Sequence, residues 1–406
     1  MLKKIATENL RSGMYLHALC GSWIDHPFWR SKFLITNSND IYLIQKSGVS
    51  EVWIDVEKGT DVAVDLPLAM TSAKVIKQDF KNRKKTPIPK PASMSEELQR
   101  AAKICTKSKN AVISMFNEVR MGKTVSLDQA GAVVQEISLS VMRNSGALIS
   151  LARLKTVDDY TYMHSVAVCA LMVALARQLN LDEAQTREAG MAGLLHDLGK
   201  ALIPDEVLNK PGKLTVDEFD IMKGHPEHGH KLLMEAGFVG EIPLDVCLHH
   251  HEKIDGSGYP HGLKGDEISL FAKMGMVCDV YDAITSPRPY KTGWDPVESI
   301  QRMNEWSETH YDQRVFQAFI NSVGIYPIGS LVRLSSGRLG VVVEQSTKSL
   351  LKPKVRVFFS IKAQAHISPE VIDLSRAAND SQAEKIVGHE DPKKWAFKDM
   401  DRLWTE

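Results

Sequence analysis

Three kinds of hydrophobic pattern follow one another along the chain. In residues 1–76, short β-type runs such as "FLIT", "IYLI" and "EVWIDV" alternate with turn residues, which predicts a small mixed α/β module. From about Ser93 the apolar residues recur three and four positions apart, as in amphipathic helices, and Ser95 and Ser126 stand where N-caps would. This spacing predicts a helical domain over residues 95–325, and hence a mainly α protein.

Two further segments bound the helical domain. Residues 77–94 are basic and contain proline, and their X-Pro steps disfavour helix, so they are predicted to form a linker. In residues 326–406, "GSLVRLSSGRLGVVVEQ" and "PKVRVFFS" alternate β-branched and polar residues around a Ser-Gly turn. The C-terminal part is therefore predicted to be a short β appendage, a hairpin followed by a polar tail.

Composition excludes several classes of function. The 406 residues carry 50 basic and 50 acidic side chains, so no global field favours a DNA or RNA polymer or an anionic membrane as partner. The five cysteines are scattered and form no CxxC, which argues against disulfides and thiolate zinc sites. The longest apolar stretch, Ser165–Ala176, is shorter than the ~20 residues that cross a bilayer. No signal peptide is recognisable at the start of the chain. We expect a cytoplasmic protein.

The candidate chemistry lies between residues 158 and 291. His164 falls in an apolar segment, and on a helix it shares a face with Val168, Leu171 and Leu175. A lone imidazole on such a face is usually a satisfied core residue. Further polar residues follow on or beside other apolar segments: His196, Asp197, Lys200, His225, His249, His250, His251, Asp279 and Asp282.

Burial of so many polar side chains needs a shared partner. Each buried group without one costs about several kcal/mol, and a metal cluster would neutralise them together. Histidine and carboxylate ligands suit iron, manganese, nickel or zinc. If Asp197 bridges, the pair His196–Asp197 serves two metals, and two metals ~3.5–4 Å apart are a common device for phosphoester hydrolysis. The alternative is a set of histidines that never meet.

These motifs also resemble a known family. "HDLGK" with an upstream His and a downstream Asp resembles the HD superfamily of metal-dependent phosphohydrolases, and "KGHPEHG", "HHHEKIDGSGYPHGLKGDEIS" and "CDVYDAITSPRPYK" resemble its HD-GYP subfamily. The resemblance covers residues 155–315. It implies an all-helical phosphodiesterase of cyclic di-GMP that holds two or three non-haem metals, commonly iron or manganese. "LRSGMYL" near the start resembles an uncharacterised module often found ahead of such domains.

The resemblance also implies roles for particular residues. It assigns seven metal ligands, with Asp197 bridging: His164, His196, Asp197, His225, His250, His251 and Asp279. His249 is then the extra member of the His triplet. Lys200 joins Asp197 as a catalytic residue and also contacts a substrate phosphate. The other substrate-binding candidates are Arg288, Lys291 and Asp282, although Asp282 has the alternative of orienting a histidine. The signature loop is Gly258, Tyr259 and Pro260. Its two glycines, Gly256 and Gly258, are expected to adopt backbone angles that other residues avoid.

One position departs from the pattern of three-metal members. The three-metal pattern has a glutamate one helical turn before the first histidine, and this chain has Tyr160 at that position. Tyrosine is a poor ligand for such a site, which argues against a third metal. We therefore expect two divalent transition metals, with iron or manganese favoured.

The leading hypothesis is hydrolysis of cyclic di-GMP to linear pGpG, with GMP left open as a further product. In-line attack by a metal-bridging hydroxide is expected, because no motif contains a Ser or Cys nucleophile. The first alternative is a phosphodiesterase of another cyclic dinucleotide, such as cyclic GMP-AMP. The second is a catalytically silent dinucleotide receptor or adaptor. A homodimer or a signalling-protein partner is left open.

Overall fold

The computed structural model describes the chain as two units, Met1–Ile88 and Pro89–Glu406. The described residues are 2–19, 33–35, 41, 44, 51–60, 89–154, 160–237, 240–286, 293–346, 349–376, 384–397 and 399–405. Most of the linker predicted at residues 77–94 lies outside them, and its last six residues, 89–94, lead into the first helix of the second unit.

The N-terminal unit contains an antiparallel sheet. Its strands are β1 (Leu2–Ala6), β2 (Tyr15–Leu19), β3 (Phe33–Leu34) and β4 (Glu51–Asp55), in the order β1–β4–β2–β3. Leu16, Val52 and Ile54 lie in its core. The strand predicted for "IYLI" is wrong, because Ile41 and Ile44 are helical. Two apolar residues three positions apart also fit one face of a helix, so the short run was ambiguous.

The second unit is mainly helical. Its helices are α1 (Met94–Arg120), α2 (Leu127–Arg143), α3 (Ser145–Arg153), α4 (Tyr160–Gln178), α5 (Glu183–Leu195), α6 (Asp205–Leu208), α7 (Val216–Lys223), α8 (His225–Glu235), α9 (Glu241–His249), α10 (Leu270–Thr285), α11 (Pro296–Trp306), α12 (Gln313–Val323), α13 (Pro392–Trp395) and α14 (Arg402–Thr405). Short 3₁₀ helices cover Leu198–Leu202 and Gly265–Glu267.

The first helix begins two residues earlier than its predicted cap. Ser93, not Ser95, is the N-cap, because Ser93 accepts from the backbone of Glu96 while the Glu96 carboxylate accepts from the Ser93 backbone. Ser126 caps α2 as predicted. Buried Glu97 then joins the two helices by accepting from Ser140 and Arg143.

Helix α4 is the core helix against which the site is built. Its residues Met163–Ala176 are buried, including the face that His164 shares with Val168, Leu171 and Leu175. Among the described residues it alone is long and apolar enough to cross a membrane, and most of it is buried inside the protein. Helix α5 packs tightly on it, because a Cβ on Gly193 would lie 2.9 Å from the Cys169 Cα.

The C-terminal residues form more than a hairpin. Strands β5 (Leu331–Leu334), β6 (Arg338–Glu344), β7 (Lys354–Ser360), β8 (Ala365–Asp373) and β9 (Ile386–His389) pair antiparallel in the order β8–β7–β6–β5–β9. The predicted Ser-Gly turn joins β5 to β6, with Gly337 at φ +78°. Val341 and Phe358 of this sheet share a hydrophobic core with Leu148 of α3. The predicted mainly α fold with an N-terminal mixed module and a C-terminal β region is confirmed.

Candidate metal centre

The predicted histidines and aspartates come from several helices and meet in one buried cluster. His164 lies in α4 and Asp279 in α10, His196 and Asp197 follow α5, His225 begins α8, and His250 and His251 follow α9. All are buried except His251, which is partly exposed. The hypothesis of histidines that never meet is therefore wrong. Arg288 and Lys291 lie outside the described residues.

Asp197 lies at the centre of the cluster, and each carboxylate oxygen faces a different group of ligands. Its Oδ2 is 3.4 Å from His164 Nε2 and 3.4 Å from His196 Nε2. Asp279 Oδ1 completes this group at 2.9 Å from His164 Nε2. We call His164, His196 and Asp279, around Asp197 Oδ2, the first half of the centre.

The other oxygen of Asp197 faces the remaining histidines. Its Oδ1 is 3.2 Å from His225 Nε2 and 3.7 Å from His250 Nε2. His251 belongs to the same group, since one ligand atom from each of these four residues lies within 4.8 Å of the others. We call His225, His250 and His251, around Asp197 Oδ1, the second half.

The histidines are oriented by partners on their far nitrogens. His164 Nδ1 is 2.6 Å from Asp282 Oδ2, and the Nδ1 atoms of three others lie within 3.1 Å of backbone carbonyls: His196 with Gly193, His225 with Met222, and His250 with Val246 and Cys247. Each Nδ1 therefore donates, and each Nε2 of a neutral ring directs a lone pair into the cluster. Of the two roles foreseen for Asp282, this contact supports the orienting one.

The resulting arrangement fits metal ions, because acceptors face acceptors. Asp197 Oδ1 is buried and accepts no hydrogen bond, although His225 Nε2 lies 3.2 Å away. The Nε2 atoms of His225 and His250 are 3.3 Å apart, as are those of His164 and His196. Lone pairs at these distances repel one another unless a cation or a proton lies between them.

Electrostatics point to the same conclusion. Burial opposes ionisation of Asp197, but His196 and Lys200 hold its pKa well below the usual value, and His164 and His196 do the same for Asp279. Burial lowers the pKa of His196, yet the two carboxylates outweigh it and raise this pKa to about 10. The carboxylates thus favour a positive charge between them, which is what a divalent ion supplies.

Two glycines allow the supporting segments to approach one another. A Cβ on Gly199 would lie 1.9 Å from the His225 carbonyl oxygen, and one on Gly229 would lie 2.6 Å from Cys247 Sγ. The 3₁₀ turn after Asp197 and α8 therefore pack with backbone in contact, and the Cys247 side chain of α9 packs against Gly229. This packing brings the ligands of the second half to Asp197.

Comparison with known proteins agrees with this site. An HD domain matches residues 143–315, and a domain of unknown function (DUF3391) matches residues 2–130. A protein of Pseudomonas aeruginosa named a cyclic di-GMP phosphodiesterase is 52% identical over 406 residues, which are 100% of this chain and 96% of that one. This chain belongs to the HD-GYP family.

Two further relatives match parts of the chain. The cyclic di-GMP phosphodiesterase response regulator RpfG of Xanthomonas campestris is 50% identical over 122 residues, 30% of this chain and 32% of that one. A protein of Vibrio cholerae named 3'3'-cGAMP-specific phosphodiesterase 3 is 33% identical over 170 residues, 42% of this chain and 37% of that one.

The HD-GYP signature loop covers the second half of the centre. The Tyr259 ring stacks on His251 with centroids 4.7 Å apart and an angle of 29°. Gly256 has a φ of +82°, as expected. Gly258 is required for a different reason than the predicted one: a Cβ there would lie 2.4 Å from the Glu252 Cα, so it permits close backbone approach. Pro260 follows a cis peptide bond.

Glu252 holds the loop beside the centre, a role that the sequence analysis did not give it. It is fully buried and accepts backbone hydrogen bonds from three consecutive residues after the signature motif: His261, Gly262 and Leu263. A carboxylate that accepts several backbone donors fixes the loop that carries them. The signal available in the sequence for this role was the position of Glu252 directly after His251, a predicted ligand.

A second set of contacts joins the same loop to α9. His249 Nδ1 is 2.7 Å from Asp245 Oδ1, and His249 Nε2 is 3.1 Å from His261 Nδ1. Ser269 in turn donates to Asp245 Oδ2. His249, the extra member of the triplet, therefore contacts the loop instead of the cluster.

Tyr160 and Lys200 lie against the first half. The Tyr160 ring is parallel to the His164 ring, with centroids 5.7 Å apart. Lys200 Nζ is 2.5 Å from Asp197 Oδ2, and its side chain is partly exposed. Lys200 thus brings a partly exposed cation to the Asp197 carboxylate.

Proposed function

We propose that this protein hydrolyses cyclic di-GMP to linear pGpG, with GMP as a further product to be tested. The observation that carries the proposal is the position of Asp197 between two groups of histidines. Support for the substrate comes from the name of the Pseudomonas aeruginosa relative, with which this chain is 52% identical over its full length.

The proposed cofactor is a pair of divalent transition ions, iron or manganese. The seven predicted ligands would hold them, and the bound pair supplies Lewis acidity and lowers the pKa of coordinated water. The donor chemistry supports nitrogen- and oxygen-preferring ions, because burial raises the pKa of the neighbouring Cys247 thiol and keeps it protonated. Tyr160 supports two ions over three, as it offers no carboxylate beside His164.

The protein's own residues have separate roles in this reaction. The oriented imidazoles and ionised carboxylates hold the centre in place before substrate arrives, which lowers the cost of reorganisation. Lys200 places a cation at the solvent side of Asp197, where it would stabilise charge on the scissile phosphate. Tyr259 stacks on the His251 ring, and Glu252 fixes the loop that follows it, so both would hold this side of the centre in place.

The test is anaerobic purification, followed by metal quantification and turnover assays on one sample. We expect about two iron or manganese atoms per chain and conversion of cyclic di-GMP to pGpG, with a time course that shows whether GMP follows. A loaded centre that leaves cyclic di-GMP intact contradicts the proposed activity. Protein prepared with iron and manganese supplied that still holds neither contradicts the site.

A second candidate substrate is cyclic GMP-AMP. The Vibrio cholerae relative named for 3'3'-cGAMP matches 42% of this chain at 33% identity, less of it and less closely than the full-length relative. Competition between equal amounts of the two dinucleotides distinguishes them. We expect cyclic di-GMP to be consumed first.

We also propose a cytoplasmic location. Four of the five cysteines are described, and all four are buried free thiols: Cys105, Cys169, Cys247 and Cys278. Unpaired cysteines fit a reducing compartment. Fractionation of the cells that make the protein tests this assignment.

A further inference from the structure

Among the described residues predicted for the centre, Lys200 and His251 are the most exposed to solvent. The side chains of His251 and Lys200 are 22% and 20% exposed, whereas those of the other predicted ligands are 9% exposed or less. We therefore expect a phosphodiester that enters the centre to lie beside Lys200 and His251. The surface beside these two residues is where the rest of a dinucleotide would lie.

Aromatic rings continue from His251 to that surface. Tyr259 stacks on His251, and the Phe219 ring meets Tyr259 edge-on with centroids 6.4 Å apart and an angle of 79°. Phe219 lies on α7 and is 47% exposed. Lys223 Nζ lies 5.3 Å from the centroid of the same ring. The exposed Phe219 ring and the Lys223 ammonium therefore lie next to Tyr259, whose ring stacks on the predicted ligand His251.

Helix α7 holds Phe219 at a fixed position relative to the centre. Thr215 and Glu218 form a capping box at its start, and Lys210 Nζ binds both oxygens of Glu218 at 2.7 and 2.6 Å. At the other end, the Met222 carbonyl accepts from the ligand His225. None of the residues of α7 is buried, so packing does not explain its aromatic residue.

We propose that Phe219 is a stacking platform for a purine base of the substrate while the scissile phosphate lies at the metal centre. This inference rests on the proposed function. Every base has a flat π face, and stacking on an exposed aromatic side chain contributes binding energy without reading base edges. Lys223 lies beside the same ring and forms an ion pair with Asp220 at 2.6 Å, so stacking on the Phe219 ring is expected to supply most of the binding energy.

The same helix provides a matched control. Ile221 is 45% exposed, close to the 47% of Phe219, but it has no aromatic ring on which a base could stack. If the helix only offers a hydrophobic surface, alanine at either position should weaken substrate binding equally. If Phe219 stacks on a base, only its replacement should weaken binding.

The experiment compares wild type with Phe219→Ala, Phe219→Tyr and Ile221→Ala. For each protein, kcat and KM for cyclic di-GMP are measured, together with the Kd of a hydrolysis-resistant phosphorothioate analogue and the metal content. We expect Phe219→Ala to raise KM and Kd on the order of tenfold, with less effect on kcat and with full metal content. Phe219→Tyr keeps the flat ring and restores both constants, and Ile221→Ala resembles wild type.

Two results would overturn the stacking role: an unchanged KM and Kd in Phe219→Ala, or an equal loss in Ile221→Ala. Failure of the proposed function gives a different pattern. If wild type binds the analogue but never hydrolyses cyclic di-GMP, the proposed activity fails, and the Kd values of the variants still decide the role of Phe219.

Discussion

The two halves of the metal centre share Asp197 but differ in charge and exposure. The first half has a further carboxylate, Asp279, and an orienting one, Asp282, and it is buried. The second half combines three imidazoles with Asp197, and its partly exposed member His251 also has its Nδ1 3.7 Å from Asp279 Oδ2. Burial lowers the pKa of His251 to about 3, whereas the carboxylates raise that of His196 to about 10.

This difference predicts unequal metal binding. Anionic ligands neutralise a divalent ion, and an orienting carboxylate makes a histidine a stronger ligand. The first half is therefore expected to bind its ion more tightly. The second half, on the side of Tyr259 and the solvent, is expected to exchange its ion and to lie nearer the entering substrate.

The largest effect is expected for Asp197→Ala, because this change removes the ligand common to both halves. Metal content should fall at both positions, and turnover should drop by ~10³-fold or more, since metal stabilisation of the transition state is worth about several kcal/mol. Metal analysis and single-turnover kinetics measure the two losses. A variant that loses only one ion would contradict the shared role.

A selective loss is expected for Asp282→Asn. The change weakens the contact with His164 Nδ1, and loss of such an orienting partner typically lowers metal affinity by about 10–100-fold. Calorimetric metal titration should show a weaker first half and an unaltered second half. Ser286→Ala is the matched control, since it removes only the contact with Asp282 Oδ1. An equal weakening of both steps would contradict the division of the centre.

Glu252→Gln tests the second half in the same way. The neutral amide retains one acceptor oxygen and cannot accept all three backbone donors that hold the loop. Each bond to a charged group is worth about 1.5–3 kcal/mol, so hydrogen exchange at residues 261–263 should accelerate by at least about tenfold. Release of the ion from the second half should also become faster, because Tyr259 no longer stays on His251. Unchanged exchange in this loop would refute the role of Glu252.

Much of this centre was predictable because its ligands occupy motifs of fixed spacing. Asp197 follows His196 directly, the resemblance to the family implied that it bridges two metals, and helical periodicity placed His164 on a buried face. The role of Glu252 was not predictable, because the backbone donors that it binds lie nine to eleven residues away and meet it only after the loop closes. Short local signals were also insufficient at Ile41 and Ile44, and at the first N-cap, where the capping box of Ser93 and Glu96 decided the start.

The smallest effect is expected for His261→Ala. Its bond to His249 is exposed, and a single hydrogen bond contributes about 1 kcal/mol, so KM should rise about fivefold or less with the metal content unchanged. His261→Asn keeps a polar partner for His249 and should recover part of the loss. A large loss of metal in His261→Ala would mean that this contact supports the cluster itself.

The central claim is that one carboxylate, Asp197, joins two metal ions. Electron paramagnetic resonance of protein fully loaded with Mn²⁺ tests it most directly, because ions that share a carboxylate are magnetically coupled. We predict the spectrum of a coupled pair in the wild type and its loss in Asp197→Ala. Two Mn²⁺ ions per wild-type chain with only uncoupled signals would contradict the account.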